Sequence, residues 1–160
     1  MTENLNKLEQ KIGVKFKNKD LLIKSLIHKS HNSNDNNEKL EFLGDRDLDL
    51  VFAKNLLKIY PNDKEGIIDK KFANLVNKKT CLLVAKKLEL KNFITTGESY
   101  KGLSRSDDKI ISDGLEALLG AVFLDQGMQI AEKFILNIWV EFLEKSIETK
   151  IDAKTQLQEY

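Results

Sequence analysis

Between Asn37 and Ile59 apolar residues fall at Phe42, Leu43, Leu50, Val51, Phe52, Leu56 and Leu57. That spacing is helical, and the apolar surface covers enough of the circumference to predict burial on several sides. The first turns of this helix also carry a row of acids, Glu38, Glu41 and Asp45. At about 100° of rotation per residue, the three fall within an arc of roughly 60°. Like charges stacked on one face destabilise a helix unless a cation sits among them. Proximity to the positive helix end accounts for Glu38 and Glu41 but not for Asp45, two turns in. A hard metal cation is the natural partner for such a row of oxygen ligands.

The rest of the chain reads as helical too. With one proline and eight glycines in 160 residues, a turn-rich β architecture is disfavoured. Leu5, Leu8 and Ile12 suggest a short opening helix ended near Gly13, and Asn18 is placed to cap a second helix with Leu21, Leu22, Leu26 and Ile27 as its apolar stripe. Residues 32–37 are a loop by composition. Pro61 stops the long helix and Asp63 can cap the next, which carries Ile67, Ile68, Phe72, Leu75 and Val76. A bend near Asn77 leads to Leu82, Leu83, Ala85 and Leu88. Residues 91–105 show little periodicity. Ser106 or Asp107 then caps a helix from about Asp108 to Leu124, and one last helix holds Ile130, Phe134, Ile135, Ile138, Trp139, Phe142 and Leu143. The expectation is an all-α domain of about seven helices. Strand–Gly-rich-loop patterns that would signal a dinucleotide fold are absent.

Bulk properties narrow the function less. At 160 residues one domain is expected, and a net charge of +1 gives no global basic field. Cys81 is the only cysteine, which excludes an internal disulfide and a cysteine-rich metal site. The polar N-terminus lacks the order of a signal peptide and no apolar run is long enough to span a membrane, so a cytoplasmic protein is expected.

A second acidic pair, Asp113 and Glu116, occurs three residues apart among Ile110, Ile111, Leu115 and Leu118. Acids recurring on an apolar helix need partners, because an unpaired buried carboxylate is costly. Crossing this helix with the first would set Glu41 and Asp45 against Asp113 and Glu116. An all-oxygen cluster suits Mg²⁺ or Mn²⁺ rather than zinc.

Acidic residues spaced by three and four are common on solvated helices; the order of apolar and acidic residues here is not. The stretch from Asn37 to Asp45, Asn-Glu-Lys-Leu-Glu-Phe-Leu-Gly-Asp, closely resembles the signature helix of the ribonuclease III family. Asp113-Gly114-Leu115-Glu116-Ala117-Leu118-Leu119-Gly120-Ala121 is similar to its second acidic motif, and His28-Lys29-Ser30 to the short basic motif before the signature. Glu65, in the stretch from Pro61 to Gly66, and Gly97-Glu98 also stand in matching places. Residues 152–159 resemble the junction into the double-stranded RNA-binding domain of bacterial members. The resemblance thus suggests a catalytic domain over residues 1–150 and, in 151–160, a linker or the start of an RNA-binding domain.

The resemblance implies a metal-dependent endonuclease that cuts double-stranded RNA as a homodimer, with Mg²⁺ as cofactor and Mn²⁺ as a substitute. It further implies two-metal hydrolysis to 5′-phosphate and 3′-hydroxyl ends with short 3′ overhangs, in processing of ribosomal and other structured RNA. Carried over by position, Glu41, Asp45, Asp113 and Glu116 are the metal ligands, with Asp45 and Glu116 central to catalysis. Glu38 and Glu65 match acids that organise the site and contact RNA, Glu65 from the partner subunit, and Phe42 matches a residue packed across the dimer interface. Lys109, one turn before Asp113 on the same face, reads either as an ammonium placed to reach the scissile phosphate or as solvated helix surface; Lys70, Lys71, Lys78 and Lys79 are plausible phosphate contacts or a solvated face. His28, His31, Cys81 and Trp139 read as structural residues.

One turn departs from the family. Asp47 stands where an apolar residue is usual and Asp49 where a small one is, and Asp47 points at a face that should be buried. Asp49 lies one turn beyond Asp45. An uncompensated acid there would weaken folding, so the alternative is a catalytically weakened ribonuclease III-like domain that binds RNA or serves a structural role.

Overall fold

The computed structural model describes residues 2–100 and 107–147; residues 151–160 and Ser106, invoked above, lie outside them. Among the described residues the fold is all-helical, with a single isolated parallel bridge, Ile27 to Thr95. In order the helices are α1 (Thr2–Ile12), α2 (Lys19–Ser25), α3 (Glu38–Ile59), α4 (Glu65–Val76), α5 (Lys78–Lys87), α6 (Asp108–Gln126) and α7 (Met128–Ile138), with residues 140–147 helical as α8 and short 3₁₀ turns at Leu90–Asn92 and Glu98–Tyr100. None is long and apolar enough to cross a membrane.

The centre of the molecule is α6. Every residue from Ile111 to Val122 is buried, because α2, α3, α5 and α7 all pack around it. The long α3 is therefore not the encased helix its apolar circumference suggested. It buries Leu40, Leu48, Val51, Phe52 and Leu56 in the core but leaves Phe42, Leu50 and Leu57 about 60% exposed along one stripe.

α3 and α6 approach to backbone contact at two glycines. A Cβ on Gly44 would lie 1.7 Å from the carbonyl oxygen of Glu116, and one on Gly120 would lie 2.2 Å from that of Leu40. The two acidic motifs each contain a glycine because only hydrogen fits where the helices touch. The crossing point thereby sits within one turn of Glu41, Asp45 and Glu116.

Local side-chain bonds set the boundaries. Asn18 caps α2, accepting from the Asp20 N–H at 3.0 Å, and the Asp125 carboxylate at the end of α6 accepts from the Lys17 and Asn18 N–H groups at 2.8 and 2.9 Å. Buried Glu9 accepts from the Phe16 N–H at 2.6 Å and from Lys19, which fixes the turn after α1. Asn77 breaks the chain between α4 and α5 and caps the latter by accepting from the Thr80 N–H at 2.8 Å.

Two local expectations are corrected. Asp63 does not cap α4, which starts after Lys64; its carboxylate pairs with Lys71 at 2.5 Å instead. The last helix is two helices, broken at Trp139. The Trp139 side chain is fully buried and its indole N–H donates to the Leu75 carbonyl at 2.8 Å. Burying an indole requires such a partner, and reaching it ties α7 to α4.

Candidate active site

The α3–α6 crossing gathers Glu41, Asp113 and Glu116. Each offers a carboxylate oxygen, and the three oxygens lie within 4.8 Å of one another. Asp45 lines the same cavity, of about 640 Å³, but lies outside that trio; its carboxylate accepts from Arg46 Nη1 at 3.1 Å. Glu38 is exposed at the rim with Lys29 3.8 Å away. Phe42 also borders the cavity, its ring covered by the Arg46 guanidinium at 4.0 Å. Glu65, exposed at the start of α4, does not line this cavity.

Basic groups counter the acids. Lys78 Nζ donates to Asp113 Oδ1 at 3.1 Å and to Glu116 Oε1 at 2.8 Å. Lys109 Nζ donates to Asp113 Oδ2 at 2.5 Å from the preceding turn of α6. The sequence placed Lys109 on the Asp113 face correctly. It did not single out Lys78 from its lysine run: the bend near Asn77 was legible, but the direction in which it sends the start of α5, toward the acids of α6, is set by tertiary packing.

Burial and charge crowding tune the carboxyls. Glu116, whose side chain is 2% exposed, is pushed up to about 7 by burial, with Asp45 and Asp113 adding to the rise and Lys78 opposing it. Burial, followed by repulsion from Asp113, also raises Glu41. Burial alone would lower the Lys78 ammonium, but hydrogen bonds to Glu116 and Asp113 raise it well above an ordinary lysine. So many acids facing one another require added positive charge.

Of the residues read as structural, Cys81 and Trp139 are buried, His28 ties two segments together but also lines the acidic cavity, and His31 is exposed. His28 Nδ1 accepts from the Ser30 N–H at 3.1 Å and pairs with Ser30 Oγ at 2.7 Å, while Ser30 Oγ accepts from the Gly97 N–H at 2.9 Å. With that nitrogen committed, the ring joins the α2 end to the 95–97 segment, and burial lowers its pKa. Cys81 is buried, its thiol pushed up to about 12 mainly by that burial, which leaves it inert as a nucleophile.

Asp47 is 5% exposed, and neither carboxylate oxygen has a hydrogen-bond partner. Arg46 does not rescue it, being engaged with Asp45 and Phe42. Burial and then the charge of Glu132 raise Asp47 to about 6. Asp49, half-buried, is raised by burial and by Asp45.

Residues 18–142 match the model of a Ribonuclease-III-like family. The chain belongs to the ribonuclease III family of endoribonucleases. It is 54% identical over its full length to Ribonuclease 3 of Pelagibacter ubique, covering 72% of that protein. Identity to Ribonuclease 3 of Leptospira interrogans is 40%, over 98% of this chain and 67% of the relative. Two solved structures of the ribonuclease III nuclease domain from Campylobacter jejuni superpose with a TM-score of 0.81 at 40% identity, covering 84% and 86% of this chain and 95% of theirs. One of them is described by structural flexibility in a region involved in dimer formation of that nuclease domain. Ribonuclease III enzymes are metal-dependent, and the Glu41–Asp113–Glu116 cluster has the composition to hold a metal ion.

Proposed function

We propose that this ribonuclease III domain hydrolyses phosphodiester bonds of double-stranded RNA as a homodimer, with Mg²⁺ held by Glu41, Asp45, Asp113 and Glu116. The observation that carries this reading is the convergence of three carboxylates within 4.8 Å across a glycine-mediated helix crossing. Buried acids without histidine or cysteine suit a hard cation, with Mn²⁺ as a substitute. When bound, a pair of divalent ions supplies an activated water nucleophile and stabilises charge on the scissile phosphate and the leaving oxygen.

The chain's own residues prepare that chemistry. Gly44 and Gly120 hold the two acidic helices at contact distance, so the ligands are set by backbone packing rather than by loops. Glu116 and Asp113 are fixed by burial, and Asp45 lies on the open side of the same cavity. Lys109, 81% exposed but anchored to Asp113, presents an ammonium where a phosphate would approach. Glu38 at the rim organises the site and contacts RNA. Glu65 lies away from its own protomer's cavity, which supports a role at the partner's site. The exposed Phe42, Leu50 and Leu57 stripe on α3 supplies the apolar surface for dimerisation.

The products are 5′-phosphate and 3′-hydroxyl ends with short 3′ overhangs, made in the cytoplasm during maturation of ribosomal and other structured RNA. Residues 1–150 form the catalytic domain. The test is incubation of a long RNA duplex with Mg²⁺ at low salt, because phosphate-mediated binding weakens steeply with salt. The wild-type chain is expected to cut the duplex and Glu116→Gln to leave it intact. Intact duplex in both would defeat the assignment.

A further inference from the structure

The acidic cluster has a cation of its own. Lys78 reaches it from the first residue of α5, whose start is fixed by the Asn77 cap. Its ammonium spans the two motif acids of α6, 3.1 Å from Asp113 Oδ1 and 2.8 Å from Glu116 Oε1. Lys109 takes the remaining oxygen of Asp113. The acids and the lysine differ in freedom: the side chains of Glu116 and Asp113 are 2% and 12% exposed, that of Lys78 58%. The carboxylates are buried on α6, while the lysine side chain has solvent on one side and room to withdraw.

A divalent ion bound by those carboxylates at about 2.1 Å would stand within a few ångströms of the ammonium, where like charges in a part-buried site repel strongly. Lys78 and a metal therefore compete for the same oxygens. The same contact also offsets the mutual repulsion of Glu41, Asp113 and Glu116, which otherwise favours splaying or protonation.

We propose that Lys78 is an internal counter-ion of the carboxylate site: it holds Asp113 and Glu116 in place without metal and must withdraw for a divalent ion to enter. This rests on the reading of the cluster as a metal site. Lys78 is on this view a positioning residue that sets the affinity for metal.

The experiment measures Mn²⁺ binding by calorimetry, and melting temperature with and without Mn²⁺, for the wild-type chain and Lys78 variants. Lys78→Met keeps the apolar stem without the charge. At about pH 8, where protons compete little for carboxylates, it is expected to bind Mn²⁺ about tenfold more tightly. It should also melt lower without metal and gain more from Mn²⁺. Lys78→Gln, neutral but still a donor, should show the same tightening, whereas Lys78→Arg should return the affinity to the wild-type value. Wild-type binding with no tightening in either neutral variant overturns the counter-ion role alone. A wild-type chain that takes up no Mn²⁺ overturns the metal-site reading with it.

Discussion

Replacing Asp47 with valine is expected to stabilise this protein, with a pH signature that identifies the cause. Asp47 is 5% exposed and neither carboxylate oxygen has a hydrogen bond. Its carboxyl is raised from 3.8 to about 6, first by burial and then by the charge of Glu132. At about 1.4 kcal/mol per pH unit, that rise corresponds to a folding penalty of ~3 kcal/mol at neutral pH. Because the folded pKa lies above the unfolded one, the penalty is absent below about pH 4, grows as the unfolded chain loses its proton first, and is complete above about pH 6. Valine removes the charge and fills the site with apolar atoms. For a chain of this size each kcal/mol moves Tm by roughly 2–4 °C, so a rise on the order of 5–10 °C is expected near neutrality. The assay is thermal unfolding of both proteins across this range, read as the difference between them so that shared titrations cancel. An equal or lower Tm for Asp47→Val at neutral pH would refute the reasoning, as would a gain that does not shrink on acidification.

Two further expectations follow from the crossing and the site. Gly44→Ala would force a methyl group to 1.7 Å from the Glu116 carbonyl oxygen, and since backbone cannot yield there as a side chain can, a loss on the order of 3 kcal/mol is expected; a wild-type urea midpoint would contradict this. Glu116 is held near 7 by burial and must lose its proton to ligate, so Mn²⁺ affinity should climb as pH rises through about 7; calorimetry showing a flat profile from about pH 6 to 8 would count against it.

Asp47 also shows how far local pattern could be trusted. Its place one turn after Leu43 and one turn before Leu50 and Val51 predicted that it points inward, because helical rotation is a local property; it does share the buried side with Val51, although Leu50 turns outward. Whether a partner awaited it was not legible, since Glu132 on α7 and the engagement of Arg46 with Asp45 and Phe42 depend on distant packing. The same division applies to the last helix. Its apolar spacing runs unbroken through Trp139, yet the helix breaks there, where the indole N–H meets the Leu75 carbonyl 64 residues away. At the site, the acids on each helix were readable from spacing. Lys78 was not, because it enters from a third helix aimed by the turn at Asn77.

The sequence by itself determined the all-helical class, the two acidic motifs and the faces on which their carboxylates stand. Each of these follows from residue type and a rotation of about 100° per residue. Tertiary structure decided that α6, rather than α3, is encased, and left the Phe42–Leu50–Leu57 stripe exposed. It set the depth at which Gly44 and Gly120 let the helices meet. It also decided which cations answer the clustered acids: Lys78 and Lys109 for Asp113 and Glu116, Arg46 for Asp45, and none for Asp47. Charge and volume must be balanced in three dimensions, and the partners that balance them are distant in the chain.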